Sequence, residues 1–299
     1  MKNGIVIRAS VLSFKVGQRY PNPYARYPCA AMAFVALITG ASSGIGEATA
    51  RRLAREPDVR LILVARRQER LDSLAAELGG ATVIAIDLTA DDAPAAVREV
   101  LEREHGGELH LLVNNAGAAW RGAFADGGWA NIERHMKLNF EAPVRLTEAL
   151  LPLLRATAAR GDGGAAHKAP VSIVNVASTA ARVSRPGSAA YSASKFALIG
   201  WSDGLHVEEQ EHGVHVGVVL PGFVRTEGFP AAELPSAIVS TPNVVAEAIF
   251  EVGPGGKAER YVPRYYFIPA ALRLLAPALV RRALARNGLA TATSAKEDE

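Results

Sequence analysis

Tyr191 and Lys195 stand four residues apart in the run Tyr191-Ser192-Ala193-Ser194-Lys195, a spacing that puts a phenol and an ammonium on one face of a helix. A free tyrosine titrates near about 10, too high for efficient acid–base work at neutral pH, and a fixed neighbouring cation lowers it at roughly 1.4 kcal/mol per unit. Such pairs occur on many helices by chance, so this one gains weight only from its company. Ser178 lies just past the run VSIVNV (171–176), and Asn114-Asn115-Ala116-Gly117 ends the run HLLVNN (110–115). Both fall where strands end, at the rim where open α/β sheets bind ligands.

The elements that must position these groups follow an alternating pattern. Aliphatic runs at 34–39, 61–65, 82–86, 110–115, 171–176 and 214–220 are apolar on both faces, as strands of a parallel sheet sandwiched between helix layers must be. Stretches of helical period lie near 45–56, 68–78, 91–105, 129–158, 189–212 and 243–251, and a short strand at 260–263 closes one edge. This predicts an α/β fold, a single Rossmann-like doubly wound parallel sheet with helices on both faces.

Between the first strand and the first helix lies Thr39-Gly40-Ala41-Ser42-Ser43-Gly44-Ile45-Gly46. Glycines there let the backbone turn tightly and approach a pyrophosphate, whose charge the N–H groups and dipole of the following helix stabilise. Arg66 falls 20 residues after Gly46, after the second strand, where an NAD-binding fold offers an acid to the ribose 2′-hydroxyl. A guanidinium pairs bidentately with a 2′-phosphate, so Arg66, with Arg67, favours NADP(H) over NAD(H).

This constellation resembles the classical short-chain dehydrogenase/reductase family: the Thr-Gly-x-x-x-Gly-x-Gly turn, Asp87 after the third strand, Asn-Asn-Ala-Gly, Asn139, Ser178, Tyr-x-x-x-Lys and Pro221-Gly222, over about residues 33–265. The resemblance implies that Tyr191 donates or accepts the proton, Ser178 binds the substrate oxygen, Lys195 contacts the nicotinamide ribose and Asn139 holds a water in the proton relay. It implies that Thr39, Gly40, Ser42, Ser43, Gly44, Ile45 and Gly46 cradle the cofactor, with Asp87 and Leu88 flanking the adenine. It further implies that Asn114, Ala116 and Gly117 line the cleft, and that Pro221, Gly222, Val224 and Thr226 approach the nicotinamide end. A homodimer or homotetramer on the helices near 129–158 and 189–212 is also implied.

The pocket should be walled by Trp120, Val183, Ser184, Pro186 and the segment 223–239. These mostly apolar residues favour a bulky hydrophobic ketone, aldehyde or alcohol (steroid-, retinoid- or keto-lipid-like) over a sugar or charged acid. The segment 228–241 reads equally as a mobile lid or a static cap. A small polar carbonyl as substrate, or a catalytically silent NADP-binding regulatory protein, remain the alternative readings.

The 299 residues suit one large domain with tails. Charged residues make up 21% and net charge is +3 with signs interleaved, which excludes a disordered chain and gives no nucleic-acid footprint. One cysteine, Cys29, excludes an intramolecular disulfide, and the histidines form no metal-ligand cluster. Residues 1–31 read as an ill-structured extension ahead of a domain spanning 32–265, with a basic targeting arm as the alternative. Residues 266–299 read as an amphipathic helix and frayed tail. Leu272, Leu275, Leu279 and Ala283 share one face, interrupted at Pro277, and arginines lie elsewhere. That segment either rests on anionic lipid or packs on protein. The whole reads as a cytoplasmic protein, with peripheral membrane contact through this segment as its variant.

Overall fold

The computed structural model describes residues 33–161, 167–229, 234–235 and 238–287. The expected N-terminal extension, much of the lid segment and the final tail lie outside the described residues. In chain order the elements are β1 (Phe34–Thr39), α1 (Gly44–Leu53), β2 (Val59–Ala65), α2 (Gln68–Glu77), β3 (Thr82–Ala85), α3 (Ala93–His105) and β4 (Leu111–Asn114). Then come α4 (Phe124–Met136), a π-helical turn at Lys137–Glu141, α5 (Ala142–Arg160), β5 (Ser172–Val176), α6 (Ala189–Glu209) and β6 (His215–Pro221). The chain continues through β7 (Phe223–Val224), β8 (Val239–Ser240), α7 (Pro242–Val252), β9 (Glu259–Val262), α8 (Phe267–Leu275) and α9 (Pro277–Asn287).

Seven strands form one parallel sheet in the order β3-β2-β1-β4-β5-β6-β9. The period of two in β1 divides the core: Phe34, Ala36 and Ile38 pack with residues of α1, α2 and α7, while Val35 and Leu37 pack with residues of α3, α5 and α6. Strands buried on both faces explain why the aliphatic runs do not alternate. The order reverses between β1 and β4, so a crevice opens at their C-terminal ends.

The helical stretch expected at 129–158 is not one helix. It starts earlier, at Phe124, bends at Gly128 (φ 48°) and passes through the π turn before resuming as α5. Pro143 has no N–H, so the α-helical bond that would run from residue 143 to the Asn139 carbonyl is never made. A local π register is one way a helix absorbs such a break. The C-terminal segment is likewise two helices: the chain breaks at Ala276 (φ −137°, ψ 62°), and Pro277 opens the second, where a missing N–H costs nothing. Among the described residues no helix is long and apolar enough to cross a membrane.

Candidate active site

Thr39 closes β1 and ties it to β4. Its buried hydroxyl donates to the Val113 carbonyl (3.1 Å) and accepts from the N–H groups of Asn115 (2.9 Å) and Ala116 (3.0 Å). The Asn115 amide donates to the Thr39 carbonyl (2.8 Å). These bonds fix the glycine turn against Asn114–Gly117 at the crevice. Gly40 holds φ 67°, and a Cβ on Gly46 would come 2.3 Å from the Gly40 carbonyl oxygen, so both positions admit only glycine. α1 starts at Gly44 behind an extended Ser43, and no side chain caps its first-turn N–H groups. Ile45 packs against the core below, and Thr226 stands over Gly44, whose Cβ would lie 3.1 Å from the Thr226 methyl.

At the end of β2, Arg67 reaches back to this turn: Nε donates to Ser42 Oγ (3.2 Å) and a terminal nitrogen to the Ser42 carbonyl (3.3 Å). Arg67 and Arg70 share the carboxylate of Glu227. Arg66 stays exposed, 3.8 Å from Asp87. The Asp87 carboxylate accepts from the backbone and hydroxyl of Thr89, which hold it below the usual carboxylate range.

Beyond β5, Ser178 begins a short turn and caps it, accepting from Ala180 N (3.1 Å); its hydroxyl faces the Pro221 carbonyl (3.4 Å). Tyr191, half-buried in the first turn of α6, has the Ser178 side chain as a polar neighbour of its phenol. Burial pushes its phenol up, against the lowering effects of the Ser178 hydroxyl and of the Arg185 and Arg121 charges. The expectation that Lys195 sets a low phenol pKa is therefore corrected for the cofactor-free site: desolvation wins, and the opposing charges are arginines. Lys195 is itself buried and lowered to about 8 by desolvation. Its ammonium donates to the Val176 carbonyl (2.9 Å).

Asn139 is fully buried on the π turn. Its amide donates to the Ala118 carbonyl (2.9 Å) and Ser194 Oγ (3.1 Å), and its side-chain oxygen accepts from Ala118 N (3.0 Å). Ser194 donates in turn to the Tyr191 carbonyl (2.7 Å), tying Asn139 to α6. Both amide hydrogens being committed, the group Asn139 can offer a water is its backbone carbonyl, whose α-helical donor Pro143 removes.

Several expected cleft residues lie beneath the cleft. Asn114 is buried and donates to Thr147 Oγ1 (3.1 Å) and Asn175 Oδ1 (2.8 Å), binding β4 to β5 and α5. Leu88 and Val224 are core side chains, so only their backbone can face a ligand. Ala116 contributes its N–H to Thr39, and Gly117 packs near Asn139 and Lys195. Gly222 lies under the ring of Tyr266, which a Cβ would meet at 2.2 Å.

The profile of the short chain dehydrogenase family matches residues 34–234. The chain belongs to that family. A zebrafish (Danio rerio) protein named dehydrogenase/reductase SDR family member 7B is 36% identical over 203 residues, which cover 64% of this chain and 61% of the relative. The ketoacyl reductase HetN of a Nostoc species is 34% identical over 221 residues, 71% of this chain and 72% of that one. The crystal structure of a short-chain dehydrogenase from Streptomyces avermitilis superposes with a TM-score of 0.70 at 29% identity, covering 86% of this chain and 99% of the other.

In this member of the family some site residues carry no sequence signal. His135, fully buried, donates from Nδ1 to the Asn131 carbonyl (2.6 Å) and accepts at Nε2 from Trp120 N (3.0 Å), which fixes its tautomer. Burial lowers its pKa, so it is neutral and stands edge-on to Trp120 and Tyr191. Asn175 and Ser194 sit on strand and helix faces the apolar pattern assigns to the core. Arg121 and Arg185 emerge beside Tyr191 only through folding of two loops, joined by a bond from Gly122 N to the Gly187 carbonyl (3.0 Å).

Proposed function

We propose that the chain is an NADP(H)-dependent oxidoreductase that interconverts a carbonyl and an alcohol on a bulky, largely apolar substrate. The observation that carries this reading is the placing of Ser178 beside the Tyr191 phenol and of buried Lys195 one turn along the same helix, with Asn139 tied to that helix. A nicotinamide dinucleotide fits the cleft: the first turn of α1 is uncapped, and the one acceptor of the Lys195 ammonium among the described residues, Val176, leaves two N–H bonds for ribose hydroxyls. The turn 39–46 would hold the pyrophosphate, Asp87 and the Leu88 backbone the adenosine, Arg66 and Arg67 the 2′-phosphate, and the Pro221–Thr226 stretch the nicotinamide end. A bound nicotinamide supplies the hydride that reduces the carbonyl carbon.

The chain supplies the rest. Tyr191, kept protonated by burial, gives its proton to the substrate oxygen, and the Ser178 hydroxyl turns from Pro221 to donate to that oxygen as charge develops. The Asn139 carbonyl and the Lys195 ammonium form the supply route for the proton Tyr191 loses, through water on the carbonyl. His135, neutral and fixed, holds Trp120 as a pocket wall. Exposed Phe267, Ile268, Leu272, Leu275 and Leu279 beside Arg264, Arg281 and Arg282 support contact of α8 and α9 with anionic lipid. The face of Leu151, Trp201 and Leu205 on α5 and α6 is the one we assign to self-association.

The test is NADPH consumption against carbonyls graded from small aldehydes to steroid and long-chain keto lipids. Wild type should turn over the large apolar members. In Tyr191→Phe, kcat/KM should fall about 10²–10⁴-fold while NADPH affinity holds within about twofold. Turnover surviving in the variant would overturn the assignment.

A further inference from the structure

The surroundings of Tyr191 are not the apolar wall the sequence suggests, because the charges of two guanidinium groups bear on its phenol. Arg185, half-buried, lies with its guanidinium carbon 4.4 Å from the centroid of the Phe223 ring, and Arg121 lies 4.9 Å from that of Phe229. The two rings are stacked, centroids 5.8 Å apart and planes 18° from parallel. The loops carrying the arginines are joined by the Gly122–Gly187 bond. Several arginines of the fold are answered by carboxylate: Arg51 by Glu47 and Glu77, Arg155 by Glu209, Arg182 by Glu259. Among the described residues neither Arg121 nor Arg185 has an ion pair.

Arg185, half-buried without a carboxylate, carries a desolvation cost that stacking on Phe223 offsets only in part, while Arg121 over Phe229 is exposed. The two arginines also burden each other: burial first, and then Arg121, lower the pKa of Arg185. Retaining like charges at such a place is accounted for if a ligand brings the missing anion.

Resting on the carbonyl-oxidoreductase reading above, we propose that Arg121 and Arg185 form an anion subsite of the substrate pocket, and that the substrate is an amphiphile. Its apolar body lies along Trp120, Phe223, Phe229 and Tyr266, its carbonyl meets Ser178 and Tyr191, and a carboxylate or phosphate ester meets the two arginines. The planar forks accept either anion bidentately. Bound anion also removes the positive field that favours tyrosinate, so Tyr191 holds its proton until the substrate oxygen takes it.

The test uses the full chain and matched ligands: straight-chain oxo acids with the ketone four to ten carbons from the carboxyl, their methyl esters, and the corresponding oxo-alkyl phosphates. Calorimetric affinity for the NADP-loaded protein is read first, and kcat/KM for NADPH oxidation second. We expect the acid or the phosphate to be favoured over the ester at least about 10-fold at one spacing, the favoured anion identifying the natural group. In Arg185→Met, which keeps the stem on Phe223, that ratio should fall toward one. Arg185→Lys should keep part of it, and Arg121→Gln, on the exposed side, should lower it without threatening the fold. Equal affinity for ester, acid and phosphate at every spacing would overturn the proposal, as would a preference that survives in the Arg185→Met/Arg121→Gln double variant. Binding discrimination without any turnover would retain the subsite and overturn the oxidoreductase reading instead.

Discussion

The two ends of the cleft are built on opposite principles. At the β1–β4 end the polar groups satisfy one another: Thr39 serves Val113, Asn115 and Ala116, and Asn114 serves Thr147 and Asn175. At the β5–β6 end, among the described residues, Lys195 has Val176 alone, and Arg121 and Arg185 meet ring faces in place of carboxylates. The first region spends its polar groups on holding backbone in place, which suits a ligand of constant shape. The second keeps charge unanswered, which suits chemistry and selection. Closed networks should lose stability when cut, whereas open charges should cost activity and can release stability.

Thr39→Val is the sharpest cut at the closed end. The isostere keeps the volume but removes three hydrogen bonds: Ala116 N–H loses its partner, at about 1–3 kcal/mol if left buried, while Asn115 N–H and the Val113 carbonyl keep each other (3.1 Å). Ala116 is only half-buried, so we expect a total of about 2 kcal/mol, read as a lower denaturation midpoint with unchanged slope. Loss below about 0.5 kcal/mol would mean water replaces the hydroxyl, and the end is not closed.

Lys195→Met tests the open end with the opposite sign. The shift of Lys195 to about 8 from its ordinary value near 10.4 corresponds to about 3 kcal/mol of charge-burial cost at 1.36 kcal/mol per unit. Methionine removes that cost and the bond to Val176, so the cofactor-free variant should be about 2 kcal/mol more stable than wild type at pH 7, and inactive. The pH course follows from the depressed folded value: below about 8 both states hold the proton and the cost is complete. Between about 8 and 10.4 only the unfolded chain holds it, so wild type gains stability as pH rises. The difference between the proteins should therefore shrink across that window. A variant less stable at pH 7 would show that the Val176 bond outweighs desolvation.

The same contrast marks what could be read from sequence. The seven strands of the main sheet were legible because double-sided burial leaves unbroken aliphatic runs, and the glycine turn because only glycine fits at residues 40 and 46. Tyr191, Lys195 and Ser178 could be singled out by spacing and company, and Asn139 by the family resemblance; their catalytic roles are the reading proposed above. The helix break at 137–141 was not foreseen, although Pro143 could have announced it. Asn114 was placed in the cleft wall because its motif ends a strand there, yet alternation turns its side chain inward. His135, Arg121 and Arg185 left no trace, because what matters is which groups they meet, and that is set by loops folded from distant segments.

The smallest expected effect concerns the 2′-phosphate, where the two arginines of one motif differ. Arg67 is tethered to Ser42 and shares Glu227 with Arg70, so its charge is partly answered. Arg66 is 77% exposed, with Asp87 at 3.8 Å its one ion-pair partner among the described residues, and at that exposure the pair is weak and salt-screened. The more available cation for a phosphate is therefore Arg66. Arg66→Ala should raise the NADPH dissociation constant about 10-fold, equivalent to about 1.4 kcal/mol, with NADH affinity unchanged. Because the interaction is solvent-facing, the difference should narrow as salt rises from about 0.05 to 0.5 M. Glu227→Gln should act the other way, tightening NADPH by freeing Arg67 and Arg70 from their shared carboxylate. If NADPH and NADH bind wild type equally and Arg66→Ala changes neither, the arginines are surface charges and the cofactor preference fails. The β2 end would then belong with the closed region, its charges answered within the chain.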